Sequence, residues 1–241
     1  MNRQFIQFTA ILKKELSHFF HSPSWAIPFL FFLLGSSIPF YLTVPASGNA
    51  SFRNFSSLIP FVSIIVIPSL TMNIWAGERQ DGTDFILLSL PVSGTILVLG
   101  KFLSLLIVYA CMLILTLPVL ATPGLLAEGG IVISAYLVLF LFGSAALAIG
   151  EFMSFLFHGA VPAFISTAAI LLALDTVQII PRYIGLDSRT ASAISQFSFS
   201  WHFDSASRGV LDSRDILFYL IPCIALLFAN VLCLKAQRSR S

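Results

Sequence analysis

The chain has 241 residues, 57% of them hydrophobic and only 10% charged, with a formal net charge of +2 and a mean hydropathy of +0.94. Soluble domains carry roughly 25% charged residues, so this much apolar surface has no place in a water-soluble core and the chain reads as an integral membrane protein. The small net charge makes no case for a nucleic-acid partner.

The first 21 residues mix Arg3, Lys13, Lys14, Glu15, His18 and His21 with apolar positions, which is not the pattern of a cleaved leader. Phe5, Phe8, Ile11, Leu12, Leu16, Phe19 and Phe20 recur at spacings of three and four. That predicts an apolar face on a helix over 4–20, with Lys13, Lys14 and Ser17 off the face. A helix written this way lies in the membrane interface.

A spanning helix needs about 20 apolar residues, and six windows qualify: 25–44, 58–75, 102–121, 131–157, 161–180 and 216–234. Prolines such as Pro28, Pro39, Pro60, Pro68, Pro118, Pro162 and Pro222 punctuate them, which a membrane tolerates because neighbouring groups satisfy the freed carbonyls. The fourth window is long enough to tilt or to project. Six crossings place both termini on one side, with the 76–101 loop and the 157–160 turn. Arg3, Lys13, Lys14, Arg79, Lys101, Lys235, Arg238 and Arg240 lie there, against Arg53, Arg182, Arg189, Arg208 and Arg214 opposite. The excess predicts that the first side is cytoplasmic. Residues 1–241 therefore read as a single all-α transmembrane domain, with an extracytoplasmic loop over 181–215.

The loop over 77–96 is the longest charged stretch on the inner side. A polar knot (Glu78, Arg79, Asp81, Gly82, Thr83, Asp84) is followed by an apolar turn (Phe85, Ile86, Leu87, Leu88) and a Leu90-Pro91-Val92-Ser93 break. Gly82 supplies a turn that other residues resist, Thr83 suits an N-cap, and Pro91 with Ser93 ends one helix and starts the next. In the outer loop, the aromatics of 197–203 predict short helices dipping into the interface. Arg208, Asp212, Arg214 and Asp215 are dense enough to pair locally.

A search for catalytic chemistry finds none. Five residues separate Gly94 from Gly100, where a P-loop needs four, and Phe102 stands where Ser or Thr would bind magnesium. No HExxH or GxSxG occurs. Cys111, Cys223 and Cys233 sit in apolar runs without a CxxC and read as small buried hydrophobes. His18, His21, His158 and His202 are scattered over both sides, which argues against a metal site. Asn49 and Asn54 begin glycosylation sequons. Two acids lie inside apolar windows, Glu151 and Asp175. Such residues usually face the bundle interior and often mark a pathway, although snorkelling or a local hydrogen bond accommodates either one here.

Glu78-Arg79, Gly82-Thr83, Leu87-Leu88, Leu90-Pro91-Val92-Ser93 and Gly100-Lys101 together resemble the first cytoplasmic loop of ABC-2 type permeases. The flavour is that of gliding-motility-associated and nitrous-oxide-reductase-maturation permease subunits. The stretch 203–219, with Arg208-Gly209 and Asp212 to Asp215, is similar to the segment before the last helix in that group. Glu151 departs from the pattern, which usually has an apolar residue there. The resemblance implies a type V exporter-like architecture: six transmembrane helices with an N-terminal interfacial helix, in the cytoplasmic (inner) membrane. It implies two permease subunits, identical or homologous, served by two copies of a separately encoded ATPase that holds the ATP and magnesium. This chain itself would hold no cofactor and would not be an enzyme. It further implies that Glu78, Arg79, Gly82, Thr83, Phe85, Leu87, Leu88 and Pro91 form a coupling helix seated on the ATPase. Two other expectations stand beside it: a proton-coupled carrier or membrane enzyme using Glu151 and Asp175, and a membrane anchor recruiting a soluble complex through the loop.

Overall fold

The computed structural model describes residues 3–21, 26–47, 55–83, 92–121, 129–181, 187–206, 209 and 212–239. Among them every regular element is helical. In chain order these are α1 (Arg3–His21), α2 (Ala26–Ser47), α3 (Leu58–Thr71), α4 (Ala76–Gln80), α5 (Gly94–Leu115), a 3-10 turn (Leu117–Ala121), α6 (Gly129–Leu156), α7 (Ala160–Thr176), α8 (Ser188–Ser195), α9 (Phe199–Ala206) and α10 (Ser213–Arg238).

Four runs are long and apolar enough to cross a membrane: Leu58–Gln80, Gly94–Val119, Gly129–Leu156 and Ser213–Arg238. A fifth arises if α1 and α2, bent by 72° at their junction, count as one span. The chain is thus a helical, multi-pass membrane protein, with four or five such runs among the described residues, where the sequence windows predict six. The difference lies partly in α7, whose 17 residues stop at Thr176 short of the 161–180 window. There the outer segment intervenes, because the Ser198 hydroxyl donates to the Asp175 carbonyl at 3.1 Å and the Ser200 hydroxyl to its carboxylate.

The core is built around α6, which packs against α3, α5, α7, α9 and α10. Residues 142–151 are buried without a break; a helix covered on all sides needs no polar face. Small residues make the close approaches possible. A Cβ at Gly143 would stand 2.0 Å from the Tyr109 ring of α5, and one at Gly150 would stand 2.3 Å from Thr71 Oγ1 of α3. Tyr109, fully buried, donates its hydroxyl to the Leu139 carbonyl at 3.2 Å.

At one end of the bundle lie α1, α4, the start of α5 and the last turns of α6 and α10; at the other lie the 3-10 turn, the start of α6, and α8 and α9. The second end is fastened by His202, whose Nδ1 is 2.6 Å from Asp215 Oδ1 and whose Nε2 is 2.8 Å from the Gln196 carbonyl. Its ring stacks on Phe218 at 3.9 Å, and the Tyr219 hydroxyl donates to the Phe199 carbonyl at 2.7 Å. Short helices do form in the outer loop, as its aromatics predict. Of the group expected to pair locally, Asp215 meets His202, and Asp212 caps α10 by accepting from the Arg214 amide at 3.0 Å. Arg208, Asn49 and Asn54 lie outside the described residues.

Candidate functional site

The loop expected to meet a partner begins as a continuation of α3. After Thr71 the chain turns through residues 72–75 into α4, which ends in a Schellman motif. The Gly82 amide donates to the Arg79 carbonyl at 3.2 Å and the Thr83 amide to the Glu78 carbonyl at 2.9 Å. Gly82 has φ +66°, the left-handed geometry that glycine adopts without a Cβ penalty. The Thr83 hydroxyl also donates to the Glu78 carbonyl, at 3.1 Å. Thr83, expected to cap a following helix, thus also closes the preceding one; residues 84–91, where that following helix would lie, are outside the described residues. On the far side Ser93 does start α5, accepting from the Ile96 amide at 3.3 Å. Phe85, Leu87, Leu88 and Pro91 lie outside the described residues.

Beneath α4 sits a charge cluster centred on Lys101 of α5, which is 0% exposed. Its Nζ donates to Glu15 Oε1 at 3.1 Å and to the Ile74 carbonyl at 2.9 Å. It stands 2.9 Å from Glu78 Oε2, an ion contact too oblique to be a hydrogen bond, and 4.9 Å from the centre of the Trp75 ring. Lys14 joins from the rim, 3.0 Å from Glu78 Oε1 and 3.4 Å from Glu15 Oε1. Partial burial works against the Lys14 ammonium, but the carboxylates of Glu15 and Glu78 outweigh it and hold the group above its ordinary pKa. Two cations and two carboxylates thus close on themselves, drawn from α1, α4 and α5. This is how buried charge is tolerated, since an unpaired ion here would cost several kcal/mol.

A second layer fastens the same segment to α6. The Trp75 and Ala76 amides both donate to Ser154 Oγ at 3.1 Å, and the Ser154 hydroxyl donates onward to the Met72 carbonyl at 3.0 Å. The Trp75 indole donates to Glu151 Oε1 at 3.3 Å. Arg79 donates to the Phe155 carbonyl, lies 4.7 Å over the Phe155 ring, and reaches Gln237 Oε1 of α10 at 3.3 Å.

The structure therefore brings Glu78, Arg79, Gly82, Thr83 and Glu151 to one end of the bundle and leaves Asp175 at the other. Glu151 is fully buried and meets an indole N–H, so of the two accommodations weighed for it, the local hydrogen bond is the one formed. Asp175 lies 15 residues along α7 from its start, about 22 Å at 1.5 Å per residue, and no run of hydrogen bonds joins the two acids among the described residues. Glu78 and Arg79 make their observed bonds inside the chain.

Sequence reading missed Glu15, Lys101, Trp75, Ser154 and Gln237 as members of this site. One signal was available: Glu15 lies four residues after Ile11 and four before Phe19, so it falls on the apolar face of α1, where a carboxylate requires a buried cation. Among the described residues no group of three or more His, Cys, Asp and Glu side chains could hold a metal ion. Comparison of the chain with protein-family models and with curated proteins finds no match.

Proposed function

We propose that this chain is a permease subunit of an ATP-driven exporter of the ABC-2 type, moved by a separately encoded ATPase that grips the loop over 77–96. In this reading α2 and α7 complete six crossings with the four long runs, α1 lies in the inner interface, and both termini face the cytoplasm. A second permease subunit and surrounding lipid would cover the apolar stripe of α10 formed by Leu217, Ile221, Ile224, Phe228 and Leu232, all exposed in the single chain. No catalytic group is required of this subunit.

One observation carries the reading. The segment 72–83 is bonded into α1, α5, α6 and α10 at a single end of the bundle, through Lys101, Ser154, Phe155 and Gln237. A displacement of this segment is passed to four helices together as a rigid-body shift, because packed elements move between discrete arrangements and do not deform smoothly. A plain connecting loop needs no such attachment. Glu78 and Arg79, assigned by the resemblance to the ATPase contact, serve here as the roots of the handle, and Phe85, Leu87 and Leu88 remain as its apolar grip.

The test is affinity purification of the tagged chain from cells that also express an ATP-binding cassette ATPase encoded beside it. Co-purification of the ATPase, lost in Leu88→Asp, is expected. Retention of the ATPase in Leu88→Asp, or cargo movement by the purified chain without nucleotide, defeats the reading.

A further inference from the structure

The last turn of α10 touches both stems of the same loop. Gln237 Oε1 accepts from Arg79 Nη2 at 3.3 Å on the outgoing stem, and Arg238 Nη1 donates to the Val92 carbonyl at 2.6 Å on the returning stem. One turn earlier, Leu234 lies against Gly94, where an added Cβ would stand 3.3 Å from Leu234 Cδ2 and 4.0 Å from Lys235 Cγ. Adjacent residues on a helix point about 100° apart, so Gln237 and Arg238 reach in different directions, one to each stem. Two neighbouring side chains thus bridge parts of the chain that are 13 positions apart, from Arg79 to Val92.

We infer that Gln237 and Arg238 are positioning residues that clasp the base of the loop, fixing the separation of its stems so that force on it enters α10 as well as α3 and α5. The chemistry is suited to the task. A guanidinium presents several donors in a planar fork and holds a carbonyl in a defined direction, while the Gln237 amide accepts from the guanidinium of Arg79 in a charge-assisted bond. The consequence runs along α10, which packs lengthwise on α6. Pulling the loop away from the bundle would tilt α10 against the central helix, and the outer end, where Asp215 and Tyr219 of α10 hold α9, would feel it. The apolar stripe of α10 moves with the same helix, so the face available to a second subunit changes as the loop moves.

The mechanical meaning of the clasp rests on the permease reading; its existence does not. The test uses the chain alone in lipid nanodiscs, with Cys111, Cys223 and Cys233 replaced by alanine and spin labels at Gln80→Cys and Thr95→Cys, both exposed positions on the two stems. Pulsed dipolar spectroscopy is expected to give one narrow distance distribution. That distribution should be lost in Arg238→Ala and in Gln237→Leu, and kept in Arg238→Lys, which retains a donor for Val92, and in Gln237→Glu, which retains an acceptor for Arg79. Gln237→Leu supplies the result if Arg238→Ala does not fold. A distribution that stays narrow in Gln237→Leu/Arg238→Ala, or in Gln237→Leu alone where the double variant does not fold, overturns the clasp. It leaves co-purification of the ATPase, which tests the wider reading, unaffected.

Discussion

Lys101 has surrendered all contact with water and receives in return Glu15, Glu78, the Ile74 carbonyl and the face of Trp75. Removing the buried cation leaves Glu15 and the partly buried Glu78 with only Lys14 at the rim for a partner, so Lys101→Met is expected to destabilise the protein by about 3 kcal/mol. Adding Glu15→Leu should restore a good part of that loss, since deleting both partners of a buried pair is far milder than deleting one. Thermal unfolding of the three proteins in detergent checks the order, and a double variant no more stable than Lys101→Met would contradict the pairing. The same cluster shows what the sequence could and could not disclose at this scale. Gly100-Lys101 stood out only as part of a motif, because the bilayer windows are defined by apolar runs, and a lysine at the edge of one is read as a flanking charge. That it turns inward depends on α1 folding back onto α5, where Gly100 lets Ile11 come within 2.8 Å of its would-be Cβ, a long-range contact that no local pattern announces.

At the scale of elements, α6 is the piece against which the others are set. Gly143→Ala would drive a methyl into the Tyr109 ring and is expected to cost about 1–3 kcal/mol through forced separation of α5 and α6. Gly130→Ala, with nothing within 4 Å of its Cβ, should be neutral or slightly stabilising, since alanine is the better helix former. Denaturation of the two variants in one detergent separates the effects. At the opposite end, His202→Leu removes the imidazole contact of Asp215 and the bond to the Gln196 carbonyl. Hydrogen exchange should then show early loss of protection over 199–206 while 94–115 keeps its own; equal protection in variant and parent would remove the fastening role assigned to His202. Most helices here were legible from periodicity and length: 102–121 falls inside α5 with its 3-10 extension, and 131–157 matches α6 to within one residue at its end. Helix ends were less so. The bond of Thr83 back to Glu78 was not foreseen, because a hydroxyl near a helix terminus reads from sequence as a cap for the next helix.

For the molecule as a whole, contacts put residues near both termini at one end of the bundle, through Glu15 to Lys101 and Arg238 to Val92. Single cysteines at Gln4, Gln80 and Ser239 are therefore expected to react with an impermeant maleimide from one face of the membrane, and one at Arg189 from the other. In intact cells the first three should stay unlabelled; labelling of Gln80→Cys from outside would reverse the proposed orientation. The membrane class was legible from composition alone, because burial of so many apolar side chains has no other solvent. The number of crossings was less legible, since a 17-residue helix such as α7 satisfies a hydropathy window while its length is settled by what the outer segment does to Asp175.

The placement of Glu151 bears on how the protein is made. Trp75, the indole that meets its carboxylate, and Lys101 both precede it in the chain, so they have left the ribosome before α6 enters the translocon. An acid within a hydrophobic segment is costly to deliver into lipid, and a hydrogen-bond donor already in place, such as the Trp75 indole, would offset part of that cost. On this ordering α3 and α5, which each pack on the central helix, would be in place before it is received.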